Sequence, residues 1–109
     1  MDWLDELTPD EVSDLIAQNK IVLIDVREIN EFAACRIPGA LLHPLSEFDA
    51  ACLPVDTAER DVVFHCAGGK RSAMAAENYR AHTGCDRVRH LAGGLAAWQQ
   101  AGKATKVAE

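Results

Sequence analysis

The segment from Cys66 to Ser72 combines residue types that could carry out nucleophilic sulfur chemistry. It reads Cys-Ala-Gly-Gly-Lys-Arg-Ser and lies between an apolar run, residues 62–65, and a helical pattern. The adjacent Gly68 and Gly69 let the chain curl so that several backbone N–H groups point inward, and the helix adds the positive end of its dipole. Because such an environment favours a thiolate over a thiol, we predict that Cys66 is a nucleophile inside an anion-binding loop.

The charged side chains of this loop indicate an anionic ligand. Positive charge at the start of a helix opposes the helix dipole and costs roughly 0.3–1 kcal/mol, which a purely structural role would not require. The predicted substrate-binding residues are therefore Ala67, Gly68, Gly69, Lys70 and Arg71.

Strand and helix patterns alternate along the chain, and this order determines the predicted fold class. Apolar, β-branched runs typical of strands cover residues 21–25, 40–43, 62–65 and 88–91, and helical patterns cover residues 9–19, 28–34, 72–83 and 95–101. The first helix begins with a capping-box pattern. Alternation of this kind implies right-handed crossovers, so we predict an α/β fold with a mostly parallel central sheet and helices on both faces.

Two short segments carry weaker patterns. In the helix over residues 28–34, the spacing predicts that Ile29, Phe32 and Ala33 face inward. Ser46 is expected to cap a further short helix.

Side chains at the strand ends should support the loop, since ligands of open parallel sheets bind outside the carboxyl ends of the strands. Asp25 ends one strand, and we expect its carboxylate to accept loop N–H groups. Arg27 and Glu31 are four residues apart and are predicted to form an ion pair. His65 points to the strand face opposite to Cys66, so it is not expected to be the base for the thiol.

Four motifs, in this order and spacing, resemble those of a single-domain rhodanese, a sulfurtransferase, and the resemblance covers nearly the whole chain. They are residues 25–27 with Glu31 and Phe32, residues 36–40, residues 66–71, and residues 91–94 with Trp98.

The resemblance implies a rhodanese-like fold and a two-step transfer. Cys66 would take a sulfane sulfur from thiosulfate or a low-molecular-weight persulfide, become a persulfide, and pass the sulfur to a thiophilic acceptor. Cyanide in vitro, a thiol or a protein could accept it. Asp25, Arg27 and Ser72 would support the site, and no cofactor or metal is implied.

Three positions depart from the family pattern. Cys35 and Arg36 replace the Gly and His that usually precede Ile-Pro-Gly. Ala67 occupies a loop position that often carries a larger polar or basic residue, so recognition of thiosulfate would fall on Lys70 and Arg71. A low-molecular-weight persulfide is as plausible a donor as thiosulfate.

Two other functions are open at this point. Phosphatases and arsenate reductases that resemble rhodanese in fold have a loop with five residues between Cys and Arg, whereas four separate Cys66 from Arg71 here. The shorter loop favours sulfur transfer. A non-enzymatic interaction module is the second alternative, and the presence of Cys66 weighs against it.

Composition limits the other function classes. The chain has 109 residues, a length that predicts one globular domain over residues 1–109. It has 17 acidic and 11 basic side chains and a formal net charge of -6, which argues against a nucleic-acid partner. The longest apolar run, residues 21–24, is too short to span a membrane.

The cysteine pattern suggests reduced thiols and a cytoplasmic location. There are four cysteines and no Cys-x-x-Cys pair, so a zinc site is not expected. We interpret Cys35, Cys52 and Cys85 as structural. The sequence leaves open whether Cys35 takes part in redox chemistry with Cys66, and it leaves open the oligomeric state.

Overall fold

The computed structural model describes residues 2–53 and 60–107. Within these residues there are five strands and four helices. They are β1 (Leu4–Leu7), α1 (Pro9–Ala17), β2 (Ile21–Asp25), α2 (Ile29–Ala34), β3 (Leu41–Leu42), β4 (Asp61–His65), α3 (Lys70–Thr83), β5 (Val88–Leu91) and α4 (Gly94–Gln100). Strands and helices alternate along the chain except that β4 follows β3 with no α-helix between them.

All strands lie in one sheet of order β1-β5-β4-β2-β3, and every neighbouring pair is parallel. The predicted α/β class and parallel sheet are therefore confirmed. Strand β1 was not predicted, and it pairs with β5 in the register Glu6↔His90. The carboxyl ends of β2, β4 and β5 lie side by side, and each leads into a loop before a helix.

The sheet buries one apolar cluster on each face, as expected when helices cover both sides. Phe64 and Cys66 belong to the cluster that α3 covers, together with Tyr79. Val63 belongs to the other cluster, which contains Trp98 of α4. The alternation along β4 thus places Cys66 and its neighbours in sequence on different faces.

The start of α1 matches its prediction. Thr8 accepts a hydrogen bond from the Glu11 N–H at 3.2 Å, and the Glu11 carboxylate accepts one from the Thr8 N–H at 3.0 Å. Pro9 occupies the first helical position. These contacts satisfy N–H groups that the helix itself leaves without partners.

The predictions for two shorter segments are wrong in part or in full. In α2, the inward orientation is wrong for Ile29, which is 69% exposed, and for the exposed Ala33, but it is confirmed for Phe32, which is half-buried against the core. Ser46 caps no helix, because its hydroxyl donates to the Glu28 carboxylate at 2.8 Å. Two 3-10 turns form there instead, Leu45–Glu47 and Ala50–Cys52.

Across the part of the chain that the structure describes, no helix is both long enough and apolar enough to cross a membrane.

Candidate active site

Cys66 follows the last residue of β4, and its side chain is buried at the start of a tight loop. The loop turns at Gly69, whose φ of +108° is a conformation that L side chains rarely adopt. Gly68 has no such positive φ, so the need for glycine falls on Gly69. Helix α3 then begins at Lys70, two residues before the predicted Ser72, which makes the loop shorter than expected.

The Cys66 sulfur is surrounded by hydrogen-bond donors. The Gly69 N–H donates to Sγ at 3.1 Å and the Ser72 N–H at 3.3 Å. The Ser72 hydroxyl oxygen lies 3.6 Å from Sγ. The loop backbone and the first turn of α3 therefore converge on one atom, in the arrangement that stabilises a thiolate.

This arrangement lowers the pKa of Cys66. Burial by itself raises the pKa of a thiol, because it disfavours the charged form. Hydrogen bonds from the Ser72 hydroxyl and N–H, and from the N–H groups of Gly69 and Gly68, outweigh burial. Cys66 is thus more acidic than an ordinary cysteine.

The start of α4 holds the carbonyl groups of the same loop. The Leu95 N–H donates to the Cys66 carbonyl at 2.8 Å, and the Ala96 N–H donates to the Ala67 carbonyl at 3.0 Å. Gly94 permits this approach: a Cβ there would lie 2.7 Å from the Ala67 carbonyl carbon and closer still to the Cys66 oxygen. Because these two carbonyl groups face α4, the N–H groups of the loop can face the Cys66 sulfur.

Asp25 and Arg27 form a buried ion pair that fixes the neighbouring loop. Arg27 Nη2 lies 2.7 Å from Asp25 Oδ2, and the Arg27 N–H donates to Asp25 Oδ1 at 3.0 Å, as predicted for a carboxylate that accepts loop N–H groups. Arg27 Nη2 also donates to the Cys35 carbonyl at 2.6 Å, which ties the end of α2 to β2. The predicted ion pair between Arg27 and Glu31 is wrong, because Arg27 lies before the helix and turns back to Asp25.

Glu31 pairs with Arg71 instead. Arg71 Nη1 lies 2.7 Å from Glu31 Oε1, and Nη2 lies 2.9 Å from Oε2. The hydrogen bond from Arg71 lowers the pKa of the Glu31 carboxyl to about 2, although burial opposes the shift. Lys70 is exposed and forms no ion pair with any of the described residues. Of the two predicted anion-binding side chains, one is therefore already paired with a carboxylate.

His65 lies on the opposite side of β4 from the sulfur, as predicted. Its Nδ1 is 3.3 Å from the Cys66 carbonyl oxygen, and its Nε2 is 3.4 Å from Asp25 Oδ2. Burial lowers its pKa, and the Asp25 carboxylate only partly opposes this. His65 thus contacts the backbone of Cys66 rather than its thiol.

The other three cysteines are free thiols in different surroundings. Cys35 is half-buried and its sulfur accepts from Gln99 Nε2 at 3.5 Å. Cys52 is exposed, and the hydrogen bond to Asp49 raises its pKa. Only Cys66, among these four, lies among backbone donors.

Sequence reasoning missed three side chains around the site. His90 is buried on β5, and its Nδ1 lies 2.8 Å from the Ser72 oxygen. Glu6 of β1 lies 3.7 Å from the other ring nitrogen of His90. The role of Glu31 toward Arg71 was also missed. The signal available for His90 was its position inside a predicted strand, beside the charged Arg89.

The donor set around Cys66 suits a sulfur anion and not a metal. Within residues 2–53 and 60–107, no three His, Cys, Asp or Glu side chains gather as metal ligands would. Backbone N–H groups and a hydroxyl can stabilise a thiolate or a persulfide, and the buried position shields that sulfur from water.

Comparison with known proteins agrees with this fold. An uncharacterized protein of Synechocystis sp., slr1261, is 35% identical over 99 residues, which are 91% of this chain and 54% of that protein. The thiosulfate sulfurtransferase GlpE of Actinobacillus succinogenes is 31% identical over 89% of this chain and 86% of its own. The chain therefore spans about half of the first relative and most of the second.

A solved structure shows the same architecture. The human single-domain sulfurtransferase TSTD1 superposes with a TM-score of 0.73 and 29% identity, over 87% of this chain and 95% of the other. The family model for the Rhodanese-like domain matches residues 8–101. This range includes the two carboxylates that pair with arginines, Asp25 and Glu31, and also the Cys66 loop and α4. The chain belongs to the rhodanese-like domain family.

Proposed function

We propose that this protein is a sulfurtransferase that carries a sulfane sulfur on Cys66 as a persulfide, within a single domain over residues 1–109. The observation that carries the proposal is the set of donors on one sulfur: the N–H groups of Gly69 and Ser72 at 3.1 and 3.3 Å, with the Ser72 hydroxyl beside them. The related GlpE and TSTD1 are described as sulfurtransferases, which supports the same reaction class here.

The first half-reaction loads the enzyme. The Cys66 thiolate attacks the outer sulfur of the donor, and a new sulfur–sulfur bond forms as the donor's own sulfur–sulfur bond breaks. The leaving group departs with the electron pair, as sulfite from thiosulfate or as a thiolate from a persulfide. A lowered pKa of Cys66 supplies more thiolate for this step at neutral pH.

The second half-reaction unloads it. A thiol acceptor, as its thiolate, or cyanide attacks the outer sulfur of the persulfide, and Cys66 Sγ leaves as a thiolate. The same hydrogen bonds that lower the pKa of Cys66 make it a better leaving group. Because the donor product leaves before the acceptor binds, we expect ping-pong kinetics.

The charge around the loop bears on the donor. The Arg71 guanidinium is engaged by Glu31, so the exposed Lys70 and the loop backbone are the groups left to attract an anion. Thiosulfate carries two negative charges, and the loop has a single unpaired cationic side chain among the described residues to attract it. This limited positive charge supports a low-molecular-weight persulfide as a donor in addition to thiosulfate. The acceptor is a thiol, of a small molecule or of a protein. The cytoplasmic location, the lack of a nucleic-acid partner and the absence of a cofactor stay predictions.

Steady-state assays test the proposal. We expect thiocyanate from thiosulfate and cyanide, or the acceptor's persulfide from glutathione persulfide and a thiol, with parallel double-reciprocal plots. Excess thiol then attacks the inner sulfur of that persulfide, which forms a disulfide and releases hydrogen sulfide for detection. Cys66→Ser, the matched control, should lose this turnover. Comparable turnover of an aryl phosphate would favour phosphatase chemistry, and the absence of turnover with any sulfur donor would favour an interaction module.

A further inference from the structure

A buried histidine reaches Cys66 through one intervening side chain. The Ser72 oxygen lies 3.6 Å from Cys66 Sγ and 2.8 Å from His90 Nδ1. Ser72 is fully buried and His90 is 4% exposed, so water does not compete for these contacts. The Ser72 hydroxyl has two acceptors within reach, the Gly69 carbonyl at 3.0 Å and His90 Nδ1, and its rotation toward Nδ1 completes a chain from the sulfur to the imidazole ring.

The far side of the His90 ring is arranged for a positive charge. Nε2 is buried and has no hydrogen-bond partner, yet it lies 3.7 Å from Glu6 Oε2. The pairing of β1 with β5 places Glu6 directly beside His90. The carboxylate is too distant for a hydrogen bond with the neutral ring, but close enough to attract an imidazolium electrostatically, an attraction that solvent screens in part because the Glu6 side chain is 68% exposed.

Few ionisable groups surround this chain of contacts in the part of the structure that is described. From β1, Glu6 faces His90, and from β4 the neighbour on the ladder is the apolar Phe64. From the start of α3, Arg71 acts electrostatically on Cys66. Burial lowers the pKa of His90, and Glu6 opposes this only in part.

We propose that His90 positions the Ser72 hydroxyl and takes up, through it, the proton that Cys66 loses as its sulfur becomes nucleophilic. The Cys66 S–H bond breaks and its proton goes to the Ser72 oxygen, while the Ser72 O–H bond breaks and that proton goes to His90 Nδ1. The products are a thiolate, an unchanged serine and an imidazolium facing Glu6. No electron is gained or lost.

The inference rests on the proposed function only in taking the Cys66 thiolate as the nucleophile. Alkylation by iodoacetamide needs that thiolate and no sulfur donor, so its rate tests the inference separately from sulfur transfer. The rate is measured from pH 5 to 9 by mass spectrometry of the Cys66 peptide. Because this peptide is followed separately, the other three cysteines need not be mutated.

We expect His90→Asn to move the alkylation inflection upward by about one pH unit, which slows Cys66 about tenfold at pH 6.5. Asparagine keeps a hydrogen-bonding group near the Nδ1 position but accepts no proton in this range. His82→Asn makes the same change at an exposed histidine of α3 and should leave the profile unchanged. A merely structural role for His90 would lower the melting temperature without moving the inflection.

Ser72→Ala should also raise the inflection, and adding His90→Asn to Ser72→Ala should then change the profile no further, because both act along one path. If His90→Asn does not fold, His90→Gln replaces it in the same comparison. Two results would overturn the inference: an unshifted inflection in Ser72→Ala or in the folded His90 variant, or additive effects of the two substitutions.

Discussion

Arg71 and Glu31 join the start of α3 to α2 through two parallel hydrogen bonds of 2.7 and 2.9 Å. The pair neutralises the arginine of the Cys66 loop and holds two helices in a fixed relation. A planar, two-point contact of this kind is the strong form of an ion pair, because both donors and both acceptors are aligned. Under the proposed function, this contact withdraws a positive charge from substrate binding.

Removing that carboxylate should increase the affinity for thiosulfate. In Glu31→Gln the local negative charge is lost and the Arg71 guanidinium is released, so we expect KM for thiosulfate to fall roughly three- to tenfold, with a smaller effect for glutathione persulfide. Glu77→Gln removes the same charge from an exposed position further along α3 and should leave both KM values unchanged. A higher KM for thiosulfate in Glu31→Gln would show that Arg71 must be held by Glu31 to function.

The Glu31 pair should also make stability depend on pH. Its pKa falls from 4.5 to about 2 in the folded protein, so the pair contributes stability above pH 4.5 that is lost as the pH falls toward 2. Because both side chains are about one-third exposed, we expect a contribution of ~1 kcal/mol or less. Urea unfolding should show Glu31→Gln less stable than the wild type at pH 7, with the gap closing toward pH 2. A gap that widens in acid would contradict the assignment.

Gly94→Ala should damage the Cys66 loop. Its Cβ would collide with the carbonyls of Cys66 and Ala67, and φ is +57°, so we expect a loss of about 3 kcal/mol or more and slower alkylation of Cys66. Gly102→Ala is the matched control, since φ is +75° there but no atom lies within 4 Å of the added Cβ. It should cost ~1 kcal/mol and leave Cys66 reactivity intact. Equal effects in urea unfolding would mean that the close approach of α4 is unimportant.

Asp25→Asn should cost far more stability than a surface substitution of the same kind. It leaves the buried Arg27 guanidinium without its counter-charge, for which the typical loss is ~3–5 kcal/mol. Asp61→Asn breaks an ion pair with the part-exposed Arg89 and should cost ~1 kcal/mol or less. Urea unfolding of both variants at pH 7 provides the measurement, and similar losses would refute a special role for the buried pair.

The sequence predicted those elements whose pattern is long or strongly apolar. Strands β2, β4 and β5 and helix α1 lie where apolar periodicity and the Thr8 capping box placed them. The loop after β4 was also identified, because a cysteine, two glycines and two cations at a strand end are rare without a chemical role. Those signals are local, and each can be recognised without knowing what packs against it.

What the sequence did not reveal depends on contacts between distant segments. Strand β1 carries two acidic residues and is defined by pairing with β5 more than 80 residues later, so no local pattern marks it. The two turns of α2 are too few to fix which face is buried, which explains the exposure of Ile29. The four-residue spacing of Arg27 and Glu31 suggested an ion pair on one helix face. Arg27 precedes the helix, however, and Glu31 pairs with Arg71, 40 residues later in the chain.

The intact mass of the protein after incubation with thiosulfate or glutathione persulfide tests the central claim most directly. We predict a gain of about 32 Da, one sulfur atom, located on the Cys66 peptide. The exposed Cys52, whose pKa is raised, serves as an internal comparison and should remain unmodified, and Cys66→Ala should show no gain. No gain on Cys66 with either donor, or an equal gain on Cys52, would contradict the assignment of Cys66 as the sulfur carrier.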